Sequence, residues 1–119
     1  MGKIGTALLL RPLEMADNAL SRYIAQKGKC AVTHNALSIT DMVCTHIKPC
    51  KGERNDTYRN LIILSKDVSK LVEATENKVI KKLLQNLTLT VEMQEKINKL
   101  RKHRELEEIQ FEDYIGTKM

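Results

Sequence analysis

The sequence predicts an all-α fold, a small bundle of three to four helices whose long, coiled-coil-like C-terminal helix projects in part. Apolar residues recur three and four positions apart through most of the 119-residue chain, and residues 78–113 contain neither glycine nor proline. With 42% hydrophobic and 29% charged residues, the composition is typical of a soluble globular protein. We therefore expect one helical domain, residues 1–119, with residues 1–11 as a flexible or loosely packed segment.

The first helix is expected over residues 12–27. Pro12 suits the first position of a helix, where no backbone N–H is needed, and Gly28 suits the residue after its end. Between them, one helical face carries Leu13, Ala16, Leu20, Tyr23 and Ile24.

The second helix is expected over residues 33–47. Its apolar stripe consists of Val32, Ala36, Ile39, Val43 and Ile47. Pro49 blocks its continuation, and the charged, Pro- and Gly-containing residues 48–56 predict the main loop. Asp56 is a favourable N-cap for a third helix. The apolar face of that helix is Leu61, Leu64, Val68, Leu71 and Val72.

A fourth helix is expected over residues 78–113. A short turn near residues 75–77 separates it from the third helix, or the two are one rod, since no glycine or proline decides between these alternatives. Residues 87–91 alternate as a strand would. We interpret them as helix because both flanks are helical and the sequence offers no other convincing strand to pair with them.

The apolar face of this fourth helix turns along its length. A first stripe ends near Val91, and a second lies roughly a third of a turn away. The second stripe consists of Leu89, Met93, Ile97 and Leu100. We interpret the first stripe as closing the chain's own bundle and the second as the apolar part of an interface with another chain. The alternative is a kink near residues 88–90 that lets both halves cover one core.

The charge of the same segment reverses abruptly. Residues 96–104 carry bases and no acid, and residues 105–113 carry five acids and no base. On one continuous helix this order opposes the macrodipole, so we interpret it as a device that sets the register of two antiparallel segments. The residues predicted to set that register are Lys96, Lys99, Arg101, Glu105 and Glu108. A solvated tail of mixed charge is the alternative.

These features favour a non-enzymatic protein–protein interaction or adaptor subunit, cytoplasmic or nuclear. It would assemble through its C-terminal helix into a homo- or hetero-oligomer. The alternative is a basic helical nucleic-acid-binding protein that uses Lys96–Arg104, because the chain's net charge is +5. No aromatic residue lies within that basic block, which argues against stacking with bases.

Thiol and imidazole side chains cluster between residues 30 and 50. They are Cys30, His34, Cys44, His46 and Cys50. Although zinc prefers such ligands, the spacing lacks a C-x2-C pair, so we expect no metal site and no cofactor. A Cys–His nucleophile needs an orienting residue that the sequence does not place, so we expect no catalytic residue. Three cysteines cannot all pair within one chain, which favours a reducing compartment.

No membrane-spanning segment is expected, because the apolar run at residues 4–10 is too short and is interrupted by Gly5 and Thr6. The first six residues match the M-G-x-x-x-[ST] pattern for myristoylation of Gly2. So short a pattern also arises by chance, and we leave the modification open.

Overall fold

The computed structural model describes residues 13–49 and 55–115. The predicted N-terminal segment 1–11, Gly2 and residues 50–54 of the predicted main loop lie outside these ranges. In chain order the elements are α1 (Leu13–Ala25), β1 (Met42–His46), a 3-10 helix (Tyr58–Asn60), β2 (Leu61–Ser65), α2 (Lys66–Glu73), α3 (Asn77–Gln85), α4 (Val91–His103) and α5 (Glu112–Ile115). The all-α prediction is therefore wrong, because the helix-rich chain also contains a small sheet.

The two strands form an antiparallel hairpin. Met42 lies opposite Ser65, and His46 lies opposite Leu61. β1 takes the place of the end of the predicted second helix, and β2 that of the start of the third. Leu61 and Ile63 on one face of β2 and Leu64 on the other are all 0% exposed, so the strand lacks the alternation of a half-buried strand. Periodicity alone does not distinguish so short an apolar run from a helix.

The chain divides into two compact units, residues 1–66 and 67–119. In the first unit, α1 packs against β2 and the 3-10 helix. The buried core of this unit consists of Ala19, Met42, Cys44, Leu61 and Ile63, with Tyr23 and Leu37 packed against it. The helix predicted over residues 12–27 is confirmed for Leu13–Ala25. The helix ends in a Schellman motif, in which the Lys27 N–H bonds to the Ile24 carbonyl at 2.9 Å and the Gly28 N–H to the Tyr23 carbonyl at 2.8 Å. Lys27 is the left-handed residue of this motif, with a φ of +59°, and Gly28 follows it with a φ of +69°.

In the second unit, the continuous helix predicted over residues 78–113 is wrong. α3 ends at Gln85, and α4 starts afresh at Val91. The start of α4 is capped by Thr90, whose Oγ1 accepts a hydrogen bond from the Met93 backbone N–H at 3.2 Å. The alternating residues 87–91 are therefore mostly a helix-to-helix connection ending in a cap, rather than the helix predicted there.

α4 ends where the charge reverses. Glu105 has a φ of +60°, the Leu106 N–H bonds to the Arg101 carbonyl at 3.0 Å, and the Glu105 N–H bonds to the Lys102 carbonyl at 3.0 Å. This is a Schellman motif, which is a standard helix end. Bases in the last turn of α4 are favourable to its macrodipole, and the acids begin only after the helix. Our interpretation that the charge order opposes the macrodipole is corrected accordingly.

The acidic segment after α4 folds back onto its own helix. The Asn98 side chain donates to the Ile109 carbonyl at 3.2 Å and accepts from the Ile109 N–H at 2.8 Å. These two bonds hold residue 109 beside the second turn of α4. The segment that was predicted to meet another chain is thus held against the helix of its own chain.

Replacing Glu105 by glycine is expected to stabilise the fold by about 0.5–1 kcal/mol, because a side chain at positive φ is strained and glycine is not. Urea unfolding followed by circular dichroism measures the change. Glu108→Gly is the matched control: Glu108 is also exposed but has no positive φ, so this substitution should destabilise the chain. Destabilisation by Glu105→Gly would contradict the prediction.

Candidate active site

A histidine and a carboxylate meet at one end of the hairpin. His46 is the last residue of β1, and its Nε2 lies 2.7 Å from Oδ1 of Asp56. The Asp56 side chain is only 4% exposed, whereas that of His46 is 21% exposed. The carboxylate is therefore shielded, and the imidazole that it orients can be reached from solvent. The prediction that Asp56 caps a helix is wrong, because residues 55–57 precede a 3-10 helix and the carboxylate is engaged with His46.

Backbone contacts fix the position of Asp56. The Asn18 side chain, on α1, donates to the Asp56 carbonyl at 2.9 Å. Asn60 closes the connection between the strands: its side chain donates to the carbonyls of Lys48 and Asn55 at 3.1 and 3.0 Å and accepts from the Lys48 N–H at 2.9 Å. The buried side-chain amide of Asn60 therefore ties together two parts of the connection between the strands, at Lys48 and at Asn55, next to Asp56.

Replacing Asn60 by leucine is expected to destabilise the first unit by about 2–3 kcal/mol, because three polar backbone groups lose a partner. Urea unfolding measures the change. Arg59→Leu, an exposed neighbour, should stay within about 0.5 kcal/mol of the wild type. An Asn60→Leu chain as stable as the Arg59→Leu control would show that the amide does not hold the connection.

Cations outnumber acids among the described residues around this pair, although the exposed Asp17 lies next to Asn18 on α1. Arg22 donates through Nε to the Tyr58 carbonyl at 3.0 Å, and its guanidinium lies 4.3 Å from the centroid of the Tyr58 ring. Lys48 and Arg59 are exposed. In residues 42–49 and 55–65 the one acid is Asp56, which is buried against His46. The surface therefore favours an anion, and the exposed Tyr58 adds an aromatic ring.

A cleft of about 290 Å³ adjoins this region. Its lining includes Arg22, Gln26 and His34 together with the apolar Ile47 and Leu61, which neighbour His46 and Asn60 along the chain. The Gln26 amide in this lining is fixed, because its Oε1 accepts from the Ile63 N–H at 3.2 Å and its Nε2 donates to the Lys29 carbonyl at 2.8 Å. Apolar walls with a few fixed polar groups are typical of a small-ligand site.

The Cys–His cluster does not assemble into one site among the described residues. Cys30 and Cys44 are buried, His34 is exposed, His46 contacts Asp56, and Cys50 lies outside the described ranges. Within those ranges no three potential ligands are close enough to share a metal ion. Burial opposes ionisation of Cys30, but hydrogen bonds from Thr33, Ser65 and Val32 outweigh it and lower the pKa of the thiol.

The residues of the predicted interface differ in solvent exposure, and most of its apolar residues are buried. Leu89, Ile97 and Leu100 are at most 9% exposed, and Arg101 is 4% exposed. Met93 and Lys96 are half-buried, while Lys99, Glu105 and Glu108 are exposed. The chain itself covers three of the four apolar anchors, so they do not form a continuous exposed stripe. Assembly through this helix stays a prediction, but three of the four apolar residues that suggested it are buried.

Arg101 has a structural role instead. Its Nη1 donates to the carbonyls of Leu71 and Ala74 at 2.9 and 2.7 Å, and its Nε donates to the Glu107 carbonyl at 2.8 Å. Burial lowers the pKa of the guanidinium, although Tyr114 and Glu107 oppose the shift. The side chain therefore joins the end of α2, the last turn of α4 and the returning acidic segment.

No protein-family model matches the chain, and neither a curated protein nor a solved structure was found to be similar to it. In the ranges that the structure describes, no helix is both long and apolar enough to cross a membrane. The candidate site therefore depends on geometry alone. The sequence pattern indicates His46 as a possible metal ligand but not its pairing with Asp56, because ten positions separate the two and only the hairpin brings them together.

Proposed function

We propose that this chain binds nucleic acid and cleaves phosphodiester bonds, with His46 as the general base and Asp56 as the residue that positions it. The observation that carries the proposal is the 2.7 Å contact between a reachable imidazole and a carboxylate that is 4% exposed. Histidine is the side chain best suited to proton transfer near neutral pH, and a buried carboxylate orients the ring and stabilises its protonated form.

The chemistry requires one proton acceptor near the scissile phosphate. A water molecule gives a proton to His46, and its oxygen forms a bond to phosphorus. The bond from phosphorus to one sugar oxygen then breaks, and that oxygen takes up a proton from solvent. The products are a phosphate monoester and a hydroxyl group, and the imidazole returns its proton to solvent.

The charge around the pair supports a nucleic-acid substrate. Lys48 and Arg59 are exposed, and the nearby acid, Asp56, is engaged with His46. Cations that face phosphate groups supply most of the sequence-independent affinity for nucleic acid. Tyr58, which is 37% exposed and stacked on Arg22, offers a ring on which a base can stack. The expectation that the chain is not an enzyme is untested, and the His46–Asp56 pair favours the opposite.

The test uses the full chain and one sequence prepared as single-stranded DNA, duplex DNA and single-stranded RNA. Fluorescence anisotropy measures binding over a range of salt concentrations, and denaturing gels follow cleavage in EDTA and in Mg²⁺ buffer. We expect binding that weakens steeply with salt and cleavage of at least one substrate. No binding at low salt overturns the whole proposal, and binding without cleavage of any substrate overturns its catalytic part. The two buffers also test the expectation that no cofactor is needed.

A further inference from the structure

We infer that α3 carries a second phosphate-contacting surface, formed by Lys78, Lys81 and Lys82, which we call the α3 lysine face. This inference rests on the proposed nucleic-acid binding and adds a location for part of it. It places the contact on a different helix from the basic block Lys96–Arg104 that the sequence predicts.

The α3 lysine face is a consequence of helix geometry. α3 buries Ile80, Leu83 and Leu84, and the three lysines remain exposed. Positions 81 and 82 lie three and four residues after position 78, so both side chains are neighbours of Lys78 on the helix surface, roughly 5–6 Å from it at Cβ. α3 contains no acidic residue. Lys78, Lys81 and Lys82 are therefore three exposed cations with no carboxylate on their own helix.

The acids closest to this surface lie outside α3. Glu76 precedes the helix, and α5, which packs against α3, carries Glu112 and Asp113. The Tyr114 hydroxyl donates to Oδ1 of Asn77 at 2.8 Å, which places α5 at the start of α3. Neither the His46–Asp56 ion pair nor the Arg104–Glu73 ion pair includes a lysine of α3.

The basic block of α4 is less suited to bind phosphate. Arg101 is buried on backbone carbonyls, and Arg104 bonds to the Leu100 carbonyl at 3.1 Å and lies 3.6 Å from Glu73. Glu92 and Glu95 are exposed on the same helix, and the acidic segment that Asn98 holds returns beside it. A phosphate backbone following α4 would meet carboxylates, whereas one that crosses α3 meets lysines.

The test compares two triple variants of the full chain with equal loss of charge. One is Lys78→Gln, Lys81→Gln and Lys82→Gln, and the control is Lys96→Gln, Lys99→Gln and Lys102→Gln. Anisotropy with the duplex DNA gives the slope of log K against log salt for each. We expect the α3 variant to lower the slope by roughly 2–3 and the affinity at least about 10-fold, because each phosphate contact contributes about 0.9 to the slope. The control should change the slope by less than about 1.

Each other outcome has a distinct meaning. Equal effects of the two triple variants overturn the inference while leaving the proposed function intact. Absence of binding by the wild type overturns the proposed function itself. Binding of the wild type to vesicles containing phosphatidylserine, lost in the α3 variant while DNA binding is kept, overturns the inference in favour of a membrane surface. Circular dichroism confirms that both variants remain folded.

Discussion

Asp56→Asn is expected to slow phosphodiester cleavage by about 10²–10⁴-fold in the wild-type chain and to have almost no further effect in a chain that already carries His46→Gln. The reason is that Asp56 acts only through the imidazole, which it orients through a 2.7 Å contact. Asparagine keeps the size of the side chain but not the charge that stabilises a protonated ring. Glutamine at position 46 removes the group that accepts the proton.

Single-turnover rate constants for the wild type, the two single variants and the double variant measure this coupling. Nucleic-acid affinity, measured in parallel, should change little, because neither residue supplies exposed positive charge. Urea unfolding of each variant separates a loss of catalysis from a loss of fold. If the two substitutions slow cleavage by independent factors that multiply, Asp56 does not act through His46.

Arg101→Leu is expected to destabilise the second unit by about 3 kcal/mol, because the carbonyls of Leu71, Ala74 and Glu107 lose their donor. Leucine fills similar space but offers no N–H group. The Leu71 carbonyl belongs to the last turn of α2, where no helical partner is available. Arg101→Lys should be intermediate, because one ammonium group does not reproduce the fork of a guanidinium.

Urea unfolding followed at the helical circular dichroism signal measures the change. Lys102→Leu is the matched control: it lies on the same helix and removes the same charge, but Lys102 is exposed. We expect that control to remain within about 0.5 kcal/mol of the wild type. An Arg101→Leu chain as stable as the control would show that the three carbonyl contacts do not hold the unit together.

The helices with one amphipathic face could be predicted from the sequence. The stripe from Ala16 to Tyr23 predicts α1, and Gly28 lies just beyond the left-handed Lys27 at its end. The spacing of Val68, Leu71 and Val72 predicts a helix, and all three are buried on α2. In each case the periodicity reflects one buried face, which is the property that sequence patterns record most directly.

The hairpin could not be predicted in the same way. Val43 and Ile47 fit a helical stripe by spacing alone, and Leu61–Leu64 is apolar throughout. Strand pairing is a contact between residues up to 23 positions apart, from Met42 to Ser65, and local periodicity carries no information about it. Residues 87–91 are interpreted as helix because the sequence shows no strand with which they could pair. The structure does contain two strands, β1 and β2, but these pair with each other and do not include residues 87–91.

The error at the candidate site follows from the error at the hairpin. With residues 33–47 interpreted as helix, His46 groups with the cysteines and Asp56 becomes a helix cap. The hairpin reverses the chain between them and brings the imidazole onto the carboxylate. Similarly, the buried Arg101 cannot be distinguished by pattern from its exposed neighbour Lys102, because the carbonyls that it binds belong to α2 and to the segment after α4.

The most direct test of the central claim is single-turnover cleavage by the wild type, His46→Gln and His103→Gln, each at saturating protein, on whichever oligonucleotide binds most tightly. His103 lies in the last turn of α4 and serves as the matched histidine control. We predict equal rate constants for the wild type and His103→Gln, and a rate constant about 10²–10⁴-fold lower for His46→Gln. Equal cleavage by all three proteins, or no cleavage by a wild type that is fully bound, would contradict a catalytic His46.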